Sequence, residues 1–207
     1  MDLTHPEYAI LGENRARVLY RLAVLGEPTS GRRIHQLSGV ASLRTTQRIL
    51  SELVDVGLVD VQPVGAANAY TLNRAHVLWE PIERILATPA ATEGEIAKIV
   101  GAAVRGHAAS TAIYGSYARG EAGPASDIDI LVVWEPGVSQ DQAAGILDKL
   151  TEQIRRLTGN RAQLFPVNRE ELDRLVGRAD PFVESLRQDA RTLTGIEIKG
   201  LLGRSRR

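Results

Sequence analysis

The sequence predicts a protein of the α+β class that is built from two domains. The chain is long enough for two small domains, with 207 residues, and helical and strand patterns follow each other in a different order in its two halves. A stretch of small residues with one proline, residues 87–95, separates the halves. We therefore expect a first domain over residues 1–88, which includes a linker helix, and a second domain over residues 93–207.

The composition excludes several classes of protein. The 25 basic and 25 acidic residues cancel, so local charge has to decide whether nucleic acid is a partner. The absence of cysteine excludes disulfides and thiol nucleophiles. No leader pattern is found, and no apolar run reaches the roughly 18–20 residues of a membrane span, so we expect a cytoplasmic protein with no membrane partner. The basic end, residues 199–207, is expected to be a solvated tail.

Three helices and a β-hairpin are predicted in the first domain. Apolar residues recur at helical spacing in each helix, and a glycine follows each of them. Short runs of strand-forming residues then flank a turn rich in Gly, Pro and Asn. The predicted elements are helices Glu13–Leu25, 33–38 and 42–56, strands Leu58–Gln62 and Ala69–Leu72, and a further helix His76–Ala87.

The stretch "SGRRIHQLSGVASLRTTQRILSELVDVGLVDVQ" carries the local charge of this domain. Residues 28–51 contain four arginines and no acid, which suits the neutralisation of phosphates. Together with the hairpin, this stretch resembles the winged helix-turn-helix family. The resemblance implies binding of double-stranded DNA, with helix 42–56 in the major groove. The predicted DNA-binding residues are Arg32, Arg33, Arg44, Thr45, Gln47 and Arg48.

Two points about the first domain stay open at this stage. Winged helices also serve as protein-binding or dimerisation modules, so the basic face has a second interpretation. The helix around Trp79 either forms a homodimer, which would present two reading heads to a symmetric site, or packs as a linker helix on its own domain.

The second domain is predicted to be an α/β domain with a mixed sheet. Its apolar runs alternate between helical and strand periods, and Ser139 with Gln142 forms a capping-box pattern before the longest helix. The predicted elements are helix Glu95–Gly106, strands 111–115 and 128–134, a helix from Ser139, strand 161–167, and helices Glu170–Val176 and Pro181–Thr192.

The stretch "GSYARGEAGPASDIDILV" carries the chemistry of this domain. Gly115 allows the backbone to pass close to a ligand, and Ser116 begins a helical turn whose free N–H groups suit a phosphate. Arg119 can neutralise a second phosphate. Asp127 and Asp129 point to one side of a strand, where they repel each other unless a cation such as Mg²⁺ lies between them.

This pattern of Gly-Ser, ten residues and Asp-x-Asp resembles the minimal nucleotidyltransferases of the polymerase-beta superfamily, over roughly Glu95–Asn168. The resemblance implies that Gly115, Ser116, Arg119 and Ser126 bind a nucleoside triphosphate, with ATP as the expected one. It also implies that Asp127 and Asp129 are catalytic and hold Mg²⁺ or Mn²⁺. A nucleotidyl group would then pass to a hydroxyl of a protein or a small molecule; relatives in toxin–antitoxin pairs modify a helical toxin partner.

One departure from the family pattern leaves two hypotheses open. The third carboxylate of the family comes from a later strand, and here the matching position is Gln163, with Glu121 or Asp141 as weaker substitutes. An amide cannot take the proton of the attacking hydroxyl. The chain is therefore either an active nucleotidyltransferase or a DNA-binding regulator whose degenerate domain senses nucleotide or mediates oligomerisation.

Overall fold

The computed structural model describes residues 1–203. Residues 204–207, and with them most of the predicted basic tail, lie outside the described residues. Contacts divide the chain into two compact units, one of residues 5–89 and one that combines residues 1–4 with residues 90–207. The first four residues, which the sequence analysis places with the first domain, thus pack in the second unit.

The first unit is a helical bundle that carries a small sheet. Ser30 and Ser42 cap its second and third long helices, because each hydroxyl accepts a hydrogen bond from a backbone N–H of the first turn. Its elements are α1 Tyr8–Leu11, α2 Glu13–Leu25, β1 Thr29–Ser30, α3 Gly31–Ser38, α4 Leu43–Asp55, β2 Val59–Val64, β3 Ala67–Leu72 and α5 Trp79–Leu86.

The three strands of this unit form an antiparallel sheet in the order β1-β3-β2. The β2–β3 hairpin closes through the two residues Gly65 and Ala66, so both strands are longer than predicted. Pro63 is tolerated because β2 is an edge strand. The apolar faces of α2, α3 and α4 meet in one core around Leu19, Ile34 and Leu50.

The predicted linker at residues 87–95 is helical in the structure, which corrects the sequence interpretation. Helix α6 covers Thr88–Ala103 and spans the border between the two units. Pro89 is the second residue of this helix, where a missing N–H removes no helical hydrogen bond. The alanines and glutamates that follow are good helix formers, so small size alone did not indicate a flexible segment here.

The second unit is a four-stranded mixed sheet covered by helices on both faces, as the sequence predicts for its class. The strand order is β6-β5-β4-β7, and only the β5–β6 pair is parallel. The elements after α6 are β4 Ala108–Tyr114, α7 Gly115–Ala118, β5 Ile128–Trp134, α8 Gln140–Thr158, β6 Ala162–Asn168, α9 Arg169–Gly177, α10 Pro181–Asp189, β7 Arg191–Gly195 and α11 Ile198–Leu201.

The two faces of this sheet bury two separate apolar clusters. Ile128, Ile130 and Val132 of β5 face α6 and α8, and the predicted capping box at Ser139 starts α8. Leu131 and Val133 face the opposite cluster with α9, α10 and α11. Alternation along β5 therefore also decides to which face each aspartate of the motif turns.

The predicted helix Pro181–Thr192 is too long at its C-terminal end, where its last two residues belong to a strand that the sequence analysis missed. Helix α10 ends at Asp189, and Arg191–Gly195 pairs with β4 instead. Thr194 shares a hydrogen bond of 2.8 Å between side-chain hydroxyls with Thr111 of β4. Long-range pairing of this kind leaves no periodic signal in a five-residue segment.

Among the described residues, none of the helices combines the length and the apolarity that a membrane crossing requires.

Candidate active site

The two aspartates of the motif flank Ile128, the first residue of β5, and the charge of Asp127 is near enough to act on the carboxyl of Asp129. Ile128 is fully buried in the core, which turns Asp129, the next residue of the strand, to the opposite face. Asp127 is exposed and Asp129 is half-buried. The structure thus brings the two predicted metal-binding side chains together.

Gly115 lies directly against Asp129. Tyr114, the last residue of β4, pairs in register with Asp129, and Gly115 follows with a φ of +75°. A Cβ atom at position 115 would lie 2.3 Å from Asp129 Oδ2. Only glycine combines this backbone conformation with room for the carboxylate.

The remaining residues of the loop hold its shape. Ser116 is the second residue of the short helix α7, and its carbonyl accepts a hydrogen bond of 2.8 Å from the N–H of Glu121. The Ser126 hydroxyl accepts a hydrogen bond of 2.9 Å from the N–H of Gly123 and closes a turn just before Asp127. The predicted nucleotide contacts of Ser116 and Ser126 stay predictions.

Arg119 contacts two carboxylates. Its Nε donates to Glu121 Oε2 at 2.8 Å, and its Nη1 donates to Asp189 Oδ2 at 2.6 Å. Asp189 ends α10 and is 70 positions away in the chain, so the sequence pattern gave no signal that it belongs to the site. In this arrangement Arg119 links the motif to the end of α10, and its predicted phosphate contact stays a prediction.

Burial and like charge act together on Asp129. Removal from water raises the pKa of this carboxyl, and the neighbouring charges of Asp127 and Asp189 raise it further, while Arg119 opposes them. Burial, with a contribution from Asp129, also raises the pKa of Tyr114 to about 12. The site therefore disfavours a second negative charge in the absence of a cation.

Gln163 occupies the position that the sequence analysis assigned to it. The parallel register of β5 and β6 pairs Asp129 with Gln163, which places both side chains on one face. Glu121, the first of the two acids considered as substitutes for the missing third carboxylate, forms an ion pair with Arg119. Asp141 lies in the first turn of α8. This helix follows the C-terminal end of β5, whereas Asp127 precedes the N-terminal end of the same strand.

The residues fit a divalent cation that arrives with a polyphosphate. Among residues 1–203, no group of three histidine or acidic side chains lies close enough to hold a metal ion by itself. Mg²⁺ in phosphate-transfer sites needs only one or two carboxylates because the phosphates and water complete its ligands. The mutually repelling pair at Asp127 and Asp129, with Asp129 seated against Gly115, matches that requirement.

A cleft of about 350 Å³ adjoins Asp127. Its walls come from the loop before β5 and from the end of α8, where Arg161 adds an exposed cation that the sequence analysis missed. Asn160 connects the walls, since its Nδ2 donates to the carbonyl of Ser126 at 2.9 Å. The lining residues are Pro124, Ala125, Ser126, Asp127, Gly159, Asn160 and Arg161.

In the first unit, the predicted DNA-reading side chains lie on α3 and on the N-terminal half of α4. His35 Nδ1 of α3 and the Thr46 hydroxyl of α4 lie 3.2 Å apart and link the two helices. Thr45 is half-buried, whereas the other five residues are exposed: Arg32, Arg33, Arg44, Gln47 and Arg48.

One of these arginines is engaged within the unit. Arg48 Nη1 donates to Glu52 Oε1 at 2.8 Å, and Arg15 binds the other oxygen of Glu52 at 2.7 Å. Exposed ion pairs of this type contribute about 0.2–1 kcal/mol, so a phosphate can replace Glu52 as a partner at small cost. The other exposed arginines of α3 and α4 are Arg32, Arg33 and Arg44.

Comparison with known proteins finds a family model that matches most of the second unit. Residues 94–188 match the family model of the nucleotidyltransferase domain, and this range contains Gly115, Asp127 and Asp129. A search of the curated proteins finds no match.

Two solved structures are similar to part of the chain, and each alignment covers 53% of this chain and 79% of the other. One is a mutant of the toxin–antitoxin MntA-HpeT, at 15% identity and a TM-score of 0.38. The other is a toxin–antitoxin with AMP-PNP, at 17% identity and a TM-score of 0.37. Similarity at this level carries no conclusion about the function of the chain.

The contact between Gly115 and Asp129 leads to a first prediction. Gly115→Ala should lower the free energy of unfolding by about 1–2 kcal/mol for its positive φ and by about 1–3 kcal/mol more for the collision with the carboxylate. Gly120→Ala is the matched control, because Gly120 has a φ of +73° and a Cβ added there would meet no atom within 4 Å. Urea unfolding followed by Trp134 fluorescence in a Trp79→Phe background measures both.

The double mutant Gly115→Ala/Asp129→Ala tests whether the collision with Asp129 causes the extra loss of stability at position 115. In an Asp129→Ala background the extra loss at Gly115 should disappear and leave only the loss that Gly120→Ala also shows. An extra loss that persists in this background would mean that the collision does not limit position 115.

The repulsion at Asp129 leads to a second prediction. Because the folded-state pKa is raised, the charged form costs stability at neutral pH; this cost falls as the pH drops through the raised pKa and is gone below the ordinary pKa of an aspartate. Asp129→Asn should therefore raise the Tm at pH 7 with a chelator and leave it unchanged in acid. Asp173→Asn, which removes an exposed ion pair with Arg169, is the control and should not raise the Tm.

Proposed function

We propose that the second unit binds a nucleoside triphosphate with a divalent cation and transfers its nucleotidyl group to a hydroxyl of a protein or a small molecule. The observation that carries this proposal is the seating of the Asp129 carboxylate against Gly115, with the charge of Asp127 close by, within the matched range 94–188. Their repulsion, which is visible in the raised pKa of Asp129, is relieved when a cation binds.

Each residue of the motif has a task in this reaction. Gly115 and Ser116 bring backbone N–H groups and a hydroxyl to the triphosphate, and Arg119 exchanges a carboxylate for a phosphate oxygen. Asp127 and Asp129 hold Mg²⁺ or Mn²⁺, which when bound neutralises charge on the phosphates. The acceptor oxygen forms a bond to the α-phosphorus and loses its proton to water, while the bond from that phosphorus to pyrophosphate breaks and pyrophosphate leaves.

ATP labelled at the α-phosphate tests this proposal. The full chain, Mg²⁺ and a cell lysate should yield labelled protein or small molecule together with released pyrophosphate, and Asp127→Asn/Asp129→Asn should reduce the label at least about 100-fold. Asp173→Asn should label as well as the unchanged chain. Label that survives loss of both aspartates would contradict the proposal.

A second function is favoured by Gln163. The residue paired with Asp129 on β6 is an amide, which binds Mg²⁺ more weakly than a carboxylate and takes no proton from the acceptor hydroxyl. Under this proposal, the second unit binds nucleotide without efficient transfer and regulates the first unit. Nucleotide binding that needs the aspartates, in the absence of label transfer, distinguishes this function from the enzyme.

We also propose that the first unit is a winged helix-turn-helix that binds double-stranded DNA. Support comes from the capped pair α3 and α4, the β2–β3 hairpin that contacts them, and the exposed arginines Arg32, Arg33 and Arg44 on these two helices. A homodimer would present two such helix pairs to a palindromic site.

DNA binding gives a prediction with its own control. Arg44→Ala should weaken binding to a palindromic duplex and lower the slope of log K against log[salt] by about 1, because one phosphate contact is lost. Arg84→Ala is the control, because Arg84 lies on α5 and not on α3 or α4, and it pairs with Glu80. Equal effects of the two substitutions, measured by fluorescence anisotropy from about 50 to 200 mM salt, would refute the assignment.

A further inference from the structure

Asp189, at the end of α10, is a buried carboxylate whose two oxygens are in different situations. The side chain is only 8% exposed, and Oδ2 accepts the hydrogen bond from Arg119. Oδ1 is also buried, and within residues 1–203 no hydrogen-bond donor reaches it. An acceptor that is buried without a donor is unfavourable, and more so when it is charged.

The position of Asp189 relates this open oxygen to the aspartate pair. Its partner Arg119 belongs to the loop that begins at Gly115, and Gly115 lies against the carboxylate of Asp129. Arg191, two residues after Asp189, is hydrogen-bonded to Glu93 and to the carbonyl of Ala118. Both guanidinium groups are thus engaged by other acceptors, and neither donates to Oδ1 of Asp189.

We propose that Asp189 is the outer carboxylate of the cation site: Oδ2 holds Arg119, and Oδ1 accepts a hydrogen bond from a water molecule that the cation brings to Asp127 and Asp129. This inference rests on the proposed cation-dependent function. It adds a positioning residue that lies just beyond the matched range 94–188.

A contact through water agrees with the geometry better than direct ligation does. No three acidic side chains among the described residues are close enough to hold a metal directly, so Asp189 does not complete a three-carboxylate cage. Mg²⁺ gives up its water reluctantly and usually keeps several of these molecules, each of which is a donor. A hydrated cation therefore supplies the donor that Oδ1 lacks.

Binding of Mn²⁺, followed by electron paramagnetic resonance in the presence of AMP-PNP, tests the inference without relying on turnover. Asp189→Asn should weaken Mn²⁺ binding about 10–100-fold, the usual effect of losing an outer partner of a metal ligand. Asp173→Asn, on the neighbouring helix α9, should bind as the unchanged chain does.

The controls separate this inference from the function on which it rests. If Asp127→Asn/Asp129→Asn abolishes binding while Asp189→Asn stays within about twofold of the unchanged chain, the inference is overturned and the proposed function stands. If loss of both aspartates leaves Mn²⁺ binding unaltered, the proposed function fails, and the inference fails with it.

A second measurement uses the unchanged chain and does not depend on whether Asp189→Asn folds. Fe²⁺ that replaces Mg²⁺ generates hydroxyl radicals with ascorbate and peroxide, which cut the backbone near the ion. We expect fragments that end near residues 127–129 and near residue 189, both suppressed by excess Mg²⁺. Cuts near 127–129 without cuts near 189 would overturn the inference.

Discussion

The candidate site depends on a charge pair, Asp127 and Asp129, whose cost the folded second unit has to offset. Ile128, between them, is anchored in the core, which places Asp129 on the opposite face of β5 with its charge near that of Asp127. Gly115 lets the Asp129 carboxylate sit against the backbone of the neighbouring loop, where water is partly excluded. Burial of the apolar clusters on both sides of the sheet maintains this unfavourable charge pair.

The elements around this pair come from distant parts of the chain. The β4–α7 loop supplies Gly115 and Arg119, and α10 ends so that Asp189 meets Arg119. Strand β7 continues directly from that helix and pairs with β4, so the pairing between β4 and β7 fixes the end of α10 near the loop. The sheet therefore positions Asp189 as firmly as it positions the aspartates of the motif.

Local signals made much of this fold predictable. Helix Glu13–Leu25 was predicted to the residue, and the capping box at Ser139 follows from two side chains three positions apart. Strand alternation predicts the face on which Gln163 lies, whereas its pairing with Asp129 depends on the register between β5 and β6, which the sequence does not give. Asp189 could not be predicted, because its place in the site depends on the pairing of β7 with a strand far earlier in the chain, which no local pattern encodes.

The first four residues have a consequence for any attempt to separate the two units. Leu3 is buried among the apolar side chains of the second unit, and the Met1 amino nitrogen donates to the carbonyl of Pro124 and to Asn160. The second unit is therefore assembled from two pieces of the polypeptide, with residues 5–89 intervening. A fragment cut at residue 90 would lack part of its own interior and the brace on the turn that precedes Asp127.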